Sequence, residues 1–147
     1  MSKRVMLASI ACAVLLSATG CAMPSKPMQD SSLYERLGGK PAITAVVDDF
    51  VGNVAGDARI NTRFAKTDIP RLKAMLVDQI CAGTGGPCKY AGRDMATAHE
   101  GMNIRSEEFD ALVEDLVKSL DKFKVPAREK GELLGVLGPM KGAIVGH

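Results

Sequence analysis

From Ser32 onward, the apolar residues recur at helical spacing and never in a convincing alternating run. The clearest stripe is Ile43, Val46, Val47, Phe50, Val51 and Val54, which predicts one long helix with a broad buried face, opened by Pro41 and closed after Gly56. Asp68 and Pro70 start a second helix whose inward residues are expected to be Leu72, Met75, Leu76, Gln79 and Ile80, ending near Gly83. Ser106 is placed to cap a third, with Phe109, Leu112, Val113, Leu116, Val117 and Leu120 on one side. Pro126 opens a fourth with Leu133, Leu134, Leu137, Met140 and Ile144 inward, and Pro139 should kink its second half. Shorter helical pieces are expected at Ser32 to Leu37, where Ser32 and Glu35 form a capping box stopped by Gly38 and Gly39, and in a turn carrying Ile60 and Phe64. The pattern predicts one all-α domain over residues 32–147, without an internal repeat.

The first thirty residues carry a different signal. Lys3 and Arg4 precede an uncharged apolar run from Val5 to about Leu16, then small residues lead into Cys21. That run is shorter than the ~20 residues a spanning helix needs, so residues 1–20 are expected to be a secretory signal peptide of the lipoprotein kind. Cys21 would be the lipidated residue after cleavage, and acyl chains worth ~0.8 kcal/mol per buried methylene would hold the protein to a membrane. Ala22 follows Cys21, not an aspartate, which favours the outer membrane facing the periplasm. Residues 21–31, with two prolines and no apolar period, are expected to be the lipidated terminus and a tether.

Removing Lys3 and Arg4 leaves 17 basic against 17 acidic side chains, so the processed chain is formally neutral and has no basic run of the kind that nucleic acid binding requires. Cys12 leaves with the signal segment, so the folded domain keeps Cys81 and Cys88. An oxidising compartment favours a disulfide between them over two free thiols. A thiolate zinc site is the weaker reading, because only His99 could join the pair and a structural site wants four ligands.

His99 is the only histidine away from the chain end, where His147 is expected to fray. It follows a glycine-rich loop on a short helix capped by Asp94, with Met95, Ala98 and Met102 expected on the same face. Taken alone, such a histidine is either a satisfied core residue or a metal ligand. A short helix presenting one imidazole to an apolar slot would suit a haem, whose iron needs an axial ligand.

Leu33-Tyr-Glu-Arg-Leu-Gly-Gly39, Val46-Val-Asp-Asp-Phe50, Arg63-Phe64, Gly85-Gly-Pro87, Tyr90-Ala-Gly92 and Met95-Ala-Thr-Ala-His99, in that order, together resemble the group 1 truncated haemoglobins over residues 32 to about 145. The resemblance implies a two-over-two helical sandwich around haem b, His99 as the proximal iron ligand, and a diatomic gas (oxygen, nitric oxide or carbon monoxide) as the bound partner. It also implies that Phe50 and Phe64 pack on the haem, that Leu72, Met75 and Leu76 face its distal side, and that Met95, Ala98, Ile104, Phe109 and Leu116 line the proximal and buried sides. Lys89 and Tyr90 would lie near the propionates, with Arg71 and Lys73 as further cationic candidates. The chain departs from the family pattern on the distal side: Val51 stands where a tyrosine is usual, and Leu72 and Leu76 stand at the facing positions. Gln79 is the nearest polar residue, two turns from Leu72. No catalytic dyad, phosphate loop or nucleophile arrangement occurs, so any turnover would be haem chemistry supported by an unspecified reductase. Two other readings are a six-coordinate electron-transfer protein with Met75 or another side chain on the iron, and a haem-free helical adaptor lipoprotein.

Overall fold

In the computed structural model, residues 31–147 are described; the signal segment, Cys21 and the tether up to residue 30 lie outside them. The helices are α1 (Leu33–Arg36), α2 (Gly39–Gly56), α3 (Ile69–Gly83), α4 (Met95–His99), α5 (Ser106–Lys122) and α6 (Ala127–Leu137). Two 3-10 segments, Asn61–Phe64 and Gly138–Ala143, follow α2 and α6. The only β pairing among the described residues is an isolated bridge between Ile104 and Val145.

Helix starts follow local chemistry. Ser32 Oγ accepts from the Glu35 N–H at 3.2 Å while the Glu35 carboxylate accepts from the Ser32 N–H at 3.0 Å, the reciprocal pair that satisfies two orphan donors. Gly38 and Gly39 adopt φ of +93° and +71°, a left-handed corner that ends α1 and redirects the chain into α2. Asp68 accepts the Arg71 N–H at 3.1 Å and opens α3 with Pro70 in its first turn. On α5 the cap is displaced by one residue from the sequence expectation. Arg105, not Ser106, is the N-cap, and the bond that secures it comes from Glu108, whose carboxylate accepts the Arg105 N–H at 2.9 Å.

Helix α2 is the spine. All six residues of its stripe are buried, and α3 and α5 both pack chiefly on it. Each such aliphatic or aromatic side chain removed from water contributes ~1.5–3 kcal/mol, so this stripe is the main source of cohesion. A buried polar tie adds register: Ser119 donates to Asp49 and accepts from the Asn53 amide, both at 2.9 Å, joining α2 to α5. Packing against α2 is close, with a void of about 20 Å³ lined by Leu37, Ile43, Ile80, Leu133 and their neighbours, room for about one water.

Three expectations are corrected. On α3 the face buried against α2 is Val77, Ile80 and Cys81, while Leu72, Met75, Leu76 and Gln79 are only half-buried. At 100° per residue the two apolar sets point roughly 140° apart around the helix axis, and Val77, Ile80 and Cys81 are the fully buried set, with Leu76 packing partly on the same cluster. Helix α6 stops at Leu137, and the chain continues as a 3-10 segment through Pro139, which lacks the N–H that an α-helix would use. His147 is not frayed: its carbonyl accepts from the Asn103 N–H at 2.6 Å and its Nε2 lies 3.3 Å from the Gly142 carbonyl.

Candidate functional site

Helix α4 is a single short element held at both ends by identifiable bonds. Asp94 accepts the Thr97 N–H at 2.9 Å and the Thr97 hydroxyl at 2.7 Å, and these bonds hold its carboxyl below the usual aspartate range. His99 is the last helical residue. Glu100 turns to ψ 129° and Gly101 to φ +75°, so the helical register does not reach Met102. Met102 is therefore 47% exposed and leaves the His99 face, contrary to the spacing argument.

The His99 ring is oriented by its own helix. Nδ1 lies 2.7 Å from the Met95 carbonyl oxygen, which can only accept, so Nδ1 carries a proton, and in the neutral ring Nε2 then keeps its lone pair. No bond to Nε2 occurs among the described residues. A neutral imidazole with one nitrogen bonded to a carbonyl and the other free is the donor chemistry an axial metal ligand needs.

Several apolar side chains remain half-buried: Leu72, Met75 and Leu76 on α3, of which Leu76 packs partly on the core cluster, Met95 and Ala98 on the helix of His99, and Ile104 before α5. Phe64 is also half-buried and packs on the core edge. Phe109 is 8% exposed, with the Lys141 ammonium 5.4 Å from its ring centroid. Phe50 and Leu116, expected haem contacts, are 7% and 6% exposed and belong to the cluster built on α2.

The distal side is apolar in the structure as in the sequence. Val51 is buried, and the Gln79 amide donates to the sulfurs of Met140 at 3.2 Å and Met95 at 3.6 Å. Gln79 thus bridges α3 to α4 and the C-terminal segment. The cationic candidates separate. Lys73 is paired with Asp48 at 2.9 Å across α2 and α3, and the Tyr90 hydroxyl donates to the Arg93 carbonyl at 2.9 Å. Arg71 and Lys89 are exposed and form no ion pair among the described residues.

The loop before α4 is tightened at two glycines. A Cβ on Gly92 would lie 2.3 Å from the Tyr90 hydroxyl oxygen, and one on Gly86 would lie 2.6 Å from the Tyr34 ring and 2.7 Å from the Cys81 sulfur. Cys81, fully buried at the end of α3, is joined by a disulfide to Cys88, with Cα atoms 5.7 Å apart. The bridge fastens the loop that leads to His99 onto the core, and both sulfurs are consumed by it.

One arrangement could not be read from the sequence. Arg63 forms a fork onto Glu108, with Nε to Oε1 at 3.0 Å and Nη2 to Oε2 at 2.8 Å, and its Nη1 donates to the Met102 carbonyl at 2.8 Å. The Arg63 guanidinium, then the Arg105 N–H, bring the Glu108 carboxyl down to about 2, and the same pair raises Arg63. The only local signal was Glu108 three residues after its cap.

Residues 32–145 match the bacterial-like globin family, a span that contains every residue of this site. The chain belongs to that family. It is similar to a group 1 truncated haemoglobin of Synechocystis sp., 38% identical over 112 residues that cover 74% of this chain and 90% of the relative. Among solved structures, the truncated haemoglobin of Tetrahymena pyriformis in its Fe(III) form superimposes with a TM-score of 0.77 at 32% identity, covering 80% of this chain and all of that one. The 2/2 haemoglobin of a Synechococcus species, solved with covalently attached haem, gives 0.70 at 34% identity, covering 74% and 91%. This truncated globin therefore has the all-α, two-over-two architecture. Haem b is the cofactor of such a globin, and its iron is where diatomic gases bind.

Proposed function

We propose that this truncated globin holds haem b through His99 Nε2, in a pocket that favours carbon monoxide and nitric oxide over dioxygen, and that it works as a lipoprotein anchored at Cys21. The 2.7 Å bond from His99 Nδ1–H to the Met95 carbonyl carries the reading, because it fixes the tautomer, turns Nε2 outward and makes it more basic. Leu72, Met75 and Leu76 supply the apolar surface that desolvates one face of the cofactor, while Met95 and Ala98 flank the other. Arg71 and Lys89 are the cations with free tips to meet carboxylates at the open edge.

Gas preference follows from what the pocket lacks. Dioxygen is retained in such sites by hydrogen-bond donors, each charge-assisted bond contributing ~1.5–3 kcal/mol, whereas carbon monoxide and nitric oxide need none. Val51, Leu72 and Leu76 have no donor to offer, and the Gln79 amide is spent on two thioethers. Nitric-oxide turnover, with electrons from a reductase, is the activity this preference suits. In stopped-flow measurements on the reduced, haem-loaded full chain, dioxygen is expected to leave fast and the iron to oxidise readily, with carbon monoxide held normally. A ferrous spectrum that is six-coordinate without added gas would instead establish the Met75-ligated redox protein.

The anchor is tested separately. Cys21→Ser should move the protein out of the membrane fraction, and membrane retention of that variant after salt washing would remove the lipoprotein assignment.

A further inference from the structure

We propose that Arg63 is a positioning residue for the proximal imidazole: by clasping Glu108 and the Met102 carbonyl, it sets where the loop after α4 lies and hence where His99 stands. The inference rests on the reading of His99 as the iron's ligand.

The loop Glu100 to Arg105 has little else to hold it. Gly101 and Asn103 both have positive φ, +75° and +48°, and the Met102 side chain is 47% exposed, so it does not pin the loop tip. Its other fastenings come from the C-terminus, where Asn103 N–H donates to the His147 carbonyl at 2.6 Å and Gly146 N–H donates to the Ile104 carbonyl at 2.9 Å. Arg63 is the fastening from the opposite side. The Met102 carbonyl accepts from its Nη1, and the Met102 N–H donates to the His99 carbonyl at 3.1 Å, so the guanidinium is two bonds from the backbone of the proximal histidine.

The same guanidinium reaches from the 3-10 segment that carries Phe64, the next residue. One side chain therefore ties a flank of the slot to the end of the helix that closes it. The fork geometry matters, because two parallel N–H bonds to a carboxylate fix direction as well as distance. Glu108 is 9% exposed and also accepts the Arg105 N–H, so the anchor for the fork is itself held at the start of α5.

The test uses the haem-loaded full chain with Arg63→Ala, Arg63→Lys and Glu108→Gln. Two quantities are read: the iron–histidine stretching band of the ferrous protein by resonance Raman, and the rate of haem transfer to an excess of an apo-acceptor. Arg63→Ala should shift and broaden the band and speed haem loss ~tenfold, the loss of one partly exposed charge-assisted clasp. Glu108→Gln should move both in the same direction by less, since its amide oxygen can still accept, and Arg63→Lys should fall between. If Arg63→Ala does not fold, the other two variants decide by the same readings. A lower melting temperature with the band and the transfer rate at wild-type values would overturn the proposal, leaving Arg63 a stability residue. A wild-type chain that forms no Soret band would remove the His99 reading itself, a result distinct from either.

Discussion

His99→Ala is expected to abolish stable haem binding. The structure leaves one ring nitrogen, Nε2, available to iron, and no other histidine lies near α4 except the chain-terminal His147, whose ring is turned to the Gly142 carbonyl. Removing an outer-shell partner of a metal ligand already costs ~10–100-fold in affinity, so losing the ligand should exceed that range. Added imidazole should restore a Soret band, because the truncation opens a space of the ring's own shape. A variant that retains wild-type haem content and spectrum without imidazole would show that another residue holds the iron.

Val51→Tyr should slow dioxygen dissociation ~10–100-fold, equivalent to ~1.4–2.8 kcal/mol at 1.4 per tenfold. Val51 is 7% exposed in the core cluster, and a ring there overpacks at a cost of ~1–3 kcal/mol in stability. Val51→Phe carries the same ring without the hydroxyl, so the ratio of the two dissociation rates isolates the donor. Carbon monoxide should respond little to either. If the wild type already holds dioxygen as slowly as Val51→Tyr, a donor must reach the pocket, and Gln79 would have to abandon Met95 and Met140 to supply it.

Features written in neighbouring residues were legible in the sequence. The α2 stripe and the Ser32 and Glu35 box depend on close spacings, and the structure shows both; at Pro139, where the sequence predicts a kink in a longer helix, the α-helix ends two residues earlier at Leu137. The family resemblance located the α4 histidine and the missing distal tyrosine by the same kind of local pattern. What spacing could not tell was which of two apolar faces of α3 meets protein. Hydropathy is identical for a residue that packs on α2 and one that waits for a cofactor, and so Val77 was missed while Leu72 and Met75 were counted inward. Met102 was misplaced because periodicity has no sense of where a five-residue helix ends. Lys73 and Arg63 found partners 25 and 45 residues away, Asp48 and Glu108, pairings that charge alone does not specify.

The modest hold on α4 separates two clocks in this globin. Five residues are far fewer than the ~12–15 at which a helix becomes even marginal in water, so α4 owes its order to its surroundings. Its main helical contact is with the 3-10 segment Gly138–Ala143, and the chain leaves it through Gly101 at φ +75°. A unit held that lightly opens at a fraction of the free energy that unfolds the domain. The α2 core, by contrast, opens only with everything else. Tighter packing around α2 is therefore expected to raise heat resistance without slowing the release of haem.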